Sequence, residues 1–303
     1  MKVLVTGGAG FIGSHIVDRL LEDNIQVYIL DNLSTGAMRN INPGAVFLKK
    51  DIRDRDVTEL FIRERFDYVV HQAAQTTVSR SLANPYYDCD VNVLGMVNVL
   101  EASRVSGVKK IVFASSAAVY GDTAVLPLTE DCRTHPKSFY GESKLTGEKY
   151  LEKYYENFGL EYVALRYANV YGERQADSGE GGVISIFSKK LSAGEPLTVY
   201  GDGCQTRDYV YVRDVAAANY EALFKEAINC SVNISTAIET SVNELIRNMA
   251  RITEQTPQAI YTAERQNDIR RSVLSNQAAG SKLGWCPNYT LAEGLSLTLK
   301  AQN

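Results

Sequence analysis

The chain is poor in the residues that build disulfides and metal centres. Its five cysteines (Cys89, Cys132, Cys204, Cys230 and Cys286) are odd in number, scattered and never spaced Cys-x-x-Cys. That argues against a disulfide framework and points to ordinary thiols in a reducing compartment, with the cytoplasm as the expected location. Three histidines, equally scattered, form no ligand cluster, so no metal is expected. No apolar run reaches the roughly eighteen residues needed to span a bilayer. The opening MKVLVTGGAGFIG has one lysine and then turns to glycine, without the apolar core and cleavage site of a secretory leader. An excess of positive charge is also missing. Lys and Arg number 32 against 36 Asp and Glu, for a net charge of −4, which speaks against a nucleic-acid partner but leaves room for a local anion site. Internal repeats and low-complexity stretches are absent.

What is present is alternation. KVLVTG reads as a buried strand, FIGSHIVDRLLEDN as an amphipathic helix, IQVYILDN as a strand, VTELFIRERF as a helix and DYVVHQAA as a strand. DVNVLGMVNVLEASRVSG, KKIVFASSAAVYG, GESKLTGEKYLEKYYENFG and EYVALRYANVYG continue the series as helix, strand, helix and strand. Such an order predicts an α/β fold, a doubly wound parallel sheet of the Rossmann type with helices on both faces. At 303 residues the chain exceeds one typical core, and the alternation loosens after residue 170. We expect a dinucleotide-binding domain at 1–168, to which 206–236 returns, and a smaller C-terminal α/β substrate domain built from 169–205 and 237–303.

The stretch VLVTGGAGFIGSH joins the first strand to the first helix, with glycines at 7, 10 and 13. A tight turn, close backbone approach to a pyrophosphate and the free N–H groups of a helix start explain that pattern. Gly7, Gly10, Phe11, Ile12 and Gly13 are therefore candidate dinucleotide contacts. Asp31, ending the second strand, is placed to accept from ribose hydroxyls, and its charge would repel a 2′-phosphate, which favours NAD over NADP. Asp51 follows a short strand and could meet the adenine.

Ser115 and Ser116 end an apolar strand, where open parallel sheets collect ligands. In the helix that follows, Tyr140 and Lys144 lie four residues apart and share a face. Alone they would read as a surface pair; with the serine strand and the glycine loop they form a constellation. A phenol with a pKa of about 10 is a poor base at neutral pH. A nearby ammonium and the positive nicotinamide ring would favour the phenolate, and bringing its pKa down to about 7 requires roughly 4 kcal/mol. Tyr140 could then take a proton from a substrate hydroxyl while Ser116 holds the oxygen in line.

The motifs TGGAGFIG, DNLSTG, HQAA, SSAAVYG, YGESK, LRYANVYG, GDGCQTRDYVYVRDV and RQNDIRRS together resemble the extended branch of the short-chain dehydrogenase/reductase family over essentially the whole chain. The nearest group is that of the nucleotide-sugar 4-epimerases of the UDP-glucose/UDP-galactose type. The resemblance implies an isomerase with tightly held NAD that inverts C4 of a UDP-sugar through a transient 4-keto sugar. It assigns the catalytic serine to Ser116, the tyrosine to Tyr140 and the lysine to Lys144. Cofactor contacts are implied at the glycine loop, Asp31, Asn32, Asp51, Ile52, Gln72, Ala73, Ala74, Asn92 and Tyr167, as well as Tyr140 and Lys144. Substrate contacts are implied at Ser116, Asn169, Arg207, Tyr209, Arg265, Asp268 and Ser272; arginine forks suit a diphosphate. A homodimer built from the helices around 86–105 and 140–156 is also implied.

Departures from the family pattern narrow the expectation. Dehydratases and decarboxylases of this fold carry an acid directly after the active-site hydroxyl residue, whereas Ala117 and Ala118 stand here. Ser272 replaces the bulky tyrosine that restricts the pocket to plain hexoses. It frees volume for an acetamido group, so UDP-GlcNAc and UDP-GalNAc are expected alongside UDP-Glc and UDP-Gal. Arg270 and Arg271 also leave open a carboxylated sugar such as UDP-glucuronic acid. Uridine and thymidine nucleotides are not distinguished. A net oxidoreductase of the same fold and a non-catalytic NAD-binding module are the rival classes.

Overall fold

The computed structural model describes residues 1–175, 182–226, 228–264 and 269–301. Along β1 (Lys2–Thr6), Val3 and Val5 enter one core and Leu4 the other. That is the period-two signature of a strand buried on both faces. The order continues with α1 (Phe11–Glu22), β2 (Gln26–Asp31), β3 (Val46–Lys49), α2 (Val57–Glu64) and β4 (Tyr68–His71). Two short helices, α3 (Val78–Ala83) and α4 (Pro85–Cys89), precede α5 (Gly95–Ser106), β5 (Lys110–Ser116), α6 (Phe139–Phe158), β6 (Glu161–Tyr167) and β7 (Asn169–Tyr171). Then come α7 (Val183–Ser192), β8 (Leu197–Tyr200), β9 (Thr206–Arg207), β10 (Tyr209–Tyr211) and α8 (Val212–Phe224). The chain closes with β11 (Cys230–Ile234), β12 (Thr240–Ser241), α9 (Val242–Thr253), β13 (Ala259–Thr262) and α10 (Leu291–Lys300).

The main sheet has seven parallel strands in the order β11-β6-β5-β4-β1-β2-β3. Residues of α1 and α8 pack on one face, with Ile16, Leu20, Val215 and Ala218 in that core. On the other face Leu60, Met96, Leu100 and Leu151 bring in α2, α5 and α6. The chain runs outward from β1 to β2 and β3, then restarts on the other side at β4. Between β1 and β4 lies the topological switch, where a parallel sheet opens a crevice at its carboxyl rim.

A separate core of Tyr171, Ile184, Phe187, Leu197, Tyr209, Leu245, Met249 and Leu295 holds the C-terminal elements. Two of its helices start with full capping boxes, Ser241 with Glu244 and Thr290 with Glu293. Three local features differ from the sequence reading. A π-turn at Asp90–Leu94 precedes α5, so the long helix is not uniform. The strand ending in Ser116 gives way to a 3-10 turn at Ala117–Val119 rather than continuing. The RDYVYV segment does not join the main sheet: β10 pairs with β7, while α8 packs against α1 and β11 supplies the sheet's edge. The parallel pair β8–β13 carried no clear sequence signal. Among the described residues no helix is long and apolar enough to cross a membrane.

Candidate active site

The glycine loop occupies the switch point. Gly7 takes φ +69°, and a Cβ there would stand 2.7 Å from the Ala73 amide nitrogen of the neighbouring rim. A Cβ on Gly13 would come within 2.2 Å of the Gly7 carbonyl oxygen, so both positions require glycine for close approach. Gly10 is the N-cap of α1, no side chain caps it and the first turn bears no acidic residue. The amides of Phe11, Ile12 and Gly13 thus begin a helix whose positive end is left to an anion. Asp31 is held at the mouth of this loop, accepting from the Ala9 N–H at 3.0 Å and the Leu33 N–H at 2.8 Å. Burial pushes its carboxyl up, and these two amides oppose that effect. An uncapped helix start, a glycine cradle and a fixed carboxylate at the second strand together fit a dinucleotide.

On the other side of the switch, Ser116 ends β5, and its hydroxyl accepts from the Ala118 N–H at 3.2 Å. Ser138 caps α6 by accepting from the Gly141 N–H at 3.1 Å. A Cβ on Gly141 would meet the Ala118 carbonyl at 2.7 Å, so the bare glycine lets α6 start directly against the turn after Ser116. That contact sets Tyr140 close enough to Ser116 for the serine hydroxyl to act on its phenol. Lys144 is 4 % exposed. Its Nζ donates to the Ala114 carbonyl at 2.8 Å and lies over the rings of Phe113 and Tyr140, at 4.9 and 5.8 Å.

Burial acts on both titratable groups of this pair. Burial pushes the Tyr140 phenol up, the Ser116 hydrogen bond opposes this, and Asp88 adds to it. Lys144 is pushed down to about 8 by burial, with Asp88 acting the other way. The Lys144 ammonium is turned toward the Ala114 carbonyl.

The remaining expected residues divide into groups. Gln72, Ala73 and Ala74 follow β4 on the same rim, and the Gln72 amide donates to the Tyr167 hydroxyl at 3.0 Å and to Asn219 at 3.2 Å. Asn32 donates to Asp51 at 2.6 Å, and the Asp51 carboxylate is clamped by the Arg53 fork at 2.8 and 2.7 Å. Ile52 and Asn92 have side chains committed to the interior. Ile52 lies in the core beside α5, and Asn92 exchanges hydrogen bonds with Gln75, Asp88 and Ser143. Asn169 opens β7 and Arg207 ends β9, and the Asn169 N–H donates to the carbonyl of Asp208, the residue after Arg207, at 2.9 Å. Tyr209 is buried against Tyr171. Ser272 lies two residues beyond Arg270, whose carbonyl accepts from the Thr206 N–H at 3.0 Å. Arg265 and Asp268 fall outside the described residues. Arg270 and Arg271 are each paired bidentately within the chain, with Asp202 and Glu239.

Sequence reading missed Ser138, Ser143, Gln75 and Asp88. The serine just ahead of the helix was a readable cap signal, whereas the other three become visible only through contacts distant in sequence.

The comparisons agree with this geometry. Residues 3–235 match the model of the NAD dependent epimerase/dehydratase family. A UDP-glucose 4-epimerase of Mycolicibacterium smegmatis is 41 % identical over 99 % of this chain and 98 % of its own length. The crystal structure of Thermotoga maritima UDP-glucose 4-epimerase with UDP-glucose superposes with a TM-score of 0.97 at 43 % identity, covering 100 % of this chain and 98 % of that one. A UDP-N-acetylglucosamine 4-epimerase from Methanobrevibacter ruminantium, in complex with UDP-N-acetylmuramic acid, gives 0.95 at 36 % identity, covering 99 % and 97 %. The chain belongs to the NAD-dependent epimerase/dehydratase family.

Proposed function

We propose that this protein is an NAD-dependent UDP-sugar 4-epimerase, an isomerase that inverts C4 and leaves no net oxidation. The observation that carries the reading is the Ser116–Tyr140–Lys144 set at the carboxyl rim, beside the glycine cradle and without an acid at residues 117 and 118. The glycine loop, Asp31 and the 72–74 rim would hold NAD, which when bound supplies a hydride acceptor and then a hydride donor. Tyr140 takes the proton of the sugar's 4-hydroxyl and later returns it. Ser116 fixes that oxygen by hydrogen bonding. With alanines after Ser116, no side chain there can drive elimination of a neighbouring group. Asn169, Arg207, Tyr209, Arg265, Asp268 and Ser272 form the proposed nucleotide-sugar wall, drawn from the segments 169–205 and 237–303 and from 206–209.

Serine at 272 favours acceptance of N-acetylated sugars beside plain hexoses. Arg270 and Arg271, which left open a carboxylated sugar, pair at the exposed surface with Asp202 and Glu239, partners that such a carboxylate would have to displace. Exposed Tyr86, Leu94, Val105, Tyr150 and Tyr155 on the segments around 86–105 and 140–156 support a homodimer through those helices.

Incubation of the purified enzyme with UDP-Gal should yield UDP-Glc at equilibrium with no accumulation of NADH. Tyr140→Phe should fold and retain NAD while losing about 10²- to 10⁴-fold in turnover. Stoichiometric NADH release would instead make the protein a net dehydrogenase, and undiminished turnover in Tyr140→Phe would displace Tyr140 as the base.

A further inference from the structure

Two buried carboxylates, Glu148 on the helix that bears Tyr140 and Lys144 and Asp88 beside it, differ in how they are balanced. Glu148 is neutralised by Arg166, with N–O contacts of 2.6 and 2.9 Å. Asp88, on α4, is 1 % exposed and forms no ion pair among the described residues. Its Oδ1 accepts from two neutral donors, the Gln75 amide at 2.8 Å and the Asn92 amide at 3.2 Å. From there a chain of hydrogen bonds runs to the catalytic helix. Asn92 donates to Ser143 Oγ at 3.2 Å, and Ser143 donates to the Tyr140 carbonyl at 2.9 Å. Asn92 also exchanges two hydrogen bonds with the Gln75 backbone, at 2.8 and 2.9 Å, which pins the rim after β4 to the same network. The π-turn at Asp90–Leu94 falls between these parts, an irregularity often found where a helix serves a site.

A carboxylate in an interior of low dielectric, without a cation in contact, acts over distance on the charges around it. From α6, Lys144 and Tyr140 both lie within reach of its charge. His71 on β4, stacked on Phe113 at 5.9 Å, is held neutral by burial and by Lys144. Arg53 and Asp90 pair with each other at 2.6 Å on the outer side of the same helical segment.

Resting on the epimerase reading above, we propose that Asp88 is a positioning residue. It is a buried counter-charge that keeps Lys144 an ammonium and, through Asn92 and Ser143, holds the turn of α6 that carries Tyr140. One anion has two opposed effects. It favours the lysine cation needed beside the cofactor, and it disfavours the tyrosinate needed as base. It thereby sets where on the pH axis the working combination is populated.

The test is the pH profile of kcat for UDP-Gal conversion by the holoenzyme. Asp88→Asn keeps the Oδ1 acceptor and removes the charge. Both limbs of the profile should move to lower pH, by on the order of one unit. Asp88→Ser should give the same displacement and serves if the asparagine variant does not fold. Ser143→Ala breaks the relay but leaves the charge, so kcat should fall about 3- to 10-fold with the limbs in place. Limbs unmoved in both Asp88 variants, or moved equally by Ser143→Ala, would overturn the proposal. A wild-type enzyme that does not epimerise, or a Tyr140→Phe variant with full turnover, would overturn the epimerase reading instead.

Discussion

Lys144 and Ala114 are joined by a hydrogen bond of 2.8 Å from the ammonium to the backbone carbonyl, and this contact ties α6 to the strand that ends in Ser116. Desolvation acts on both titratable partners of that helix in the direction that neutralises them: the phenol goes up and the ammonium comes down, to about 8. The pair is thus built neutral-leaning, and the ionised combination requires favourable charge from elsewhere in the crevice.

Lys144 consequently costs stability. An unfolded chain keeps the lysine protonated to about pH 10.4, whereas the folded chain releases that proton near 8. Between these values the unfolded state binds more protons, so stability rises with pH across the window and the full penalty, roughly 3 kcal/mol, applies below it. Lys144→Met removes the hydrogen bond to the Ala114 carbonyl, which returns about 1 kcal/mol of that gain. The variant should be inactive yet more stable near neutral pH, and should lose the rise toward alkaline pH. Urea unfolding at neutral and alkaline pH is the check, and parallel pH slopes in the two proteins would refute it.

His71 sets an acid limit. Its Nδ1 lies 2.8 Å from Thr6 Oγ1, and burial holds the ring down at about 3, with Lys144 acting in the same direction. An unfolded histidine takes its proton near 6.5. The unfolded state therefore binds more protons between 6.5 and 3, and stability is lost as pH falls through that range, at up to about 1.4 kcal/mol per pH unit. His71→Asn should flatten this acid slope. Thermal midpoints measured from pH 7 down to pH 4 would show it, and an unchanged slope would mean that other groups dominate.

The Arg166–Glu148 pair is a structural anchor behind Ser115. Both side chains are nearly inaccessible, at 8 % and 7 % exposure, and Glu148 also accepts from Ser115 at 2.5 Å and Ser231 at 2.9 Å. Glu148→Ala strands a desolvated guanidinium and should destabilise by about 3–5 kcal/mol. The double variant Glu148→Leu with Arg166→Met removes both charges and should recover much of the loss. Denaturation of the wild type, Glu148→Leu, Arg166→Met and the double variant measures the coupling, and additive losses would contradict it.

Pocket size at Ser272 should decide sugar tolerance. Ser272→Tyr is expected to lower kcat/KM for UDP-GalNAc by about 10- to 100-fold while leaving UDP-Gal within a few-fold. Equal losses for both sugars would remove Ser272 from the specificity wall.

Much of the site was legible because it is written locally. The glycine spacing, the acid ending the second strand, the serine strand and the Tyr140–Lys144 turn are each contained in a few consecutive residues. Each element type followed from hydrophobic period. The parallel sheet then had to bring their carboxyl ends to one rim, since β1, β2, β4 and β5 point the same way.

Tertiary structure decided the rest. Which carboxylates are neutralised, which arginines are already paired, and which amide is spent on a buried network all depend on partners distant along the chain. Asp88 meets Ser143 by way of Asn92, Arg270 meets Asp202 and Arg166 meets Glu148. Desolvation likewise has no local code, because a residue type reports its intrinsic pKa but not the water it loses on folding. Sequence by itself determined what chemistry the rim could carry; packing determined the protonation states from which that chemistry starts.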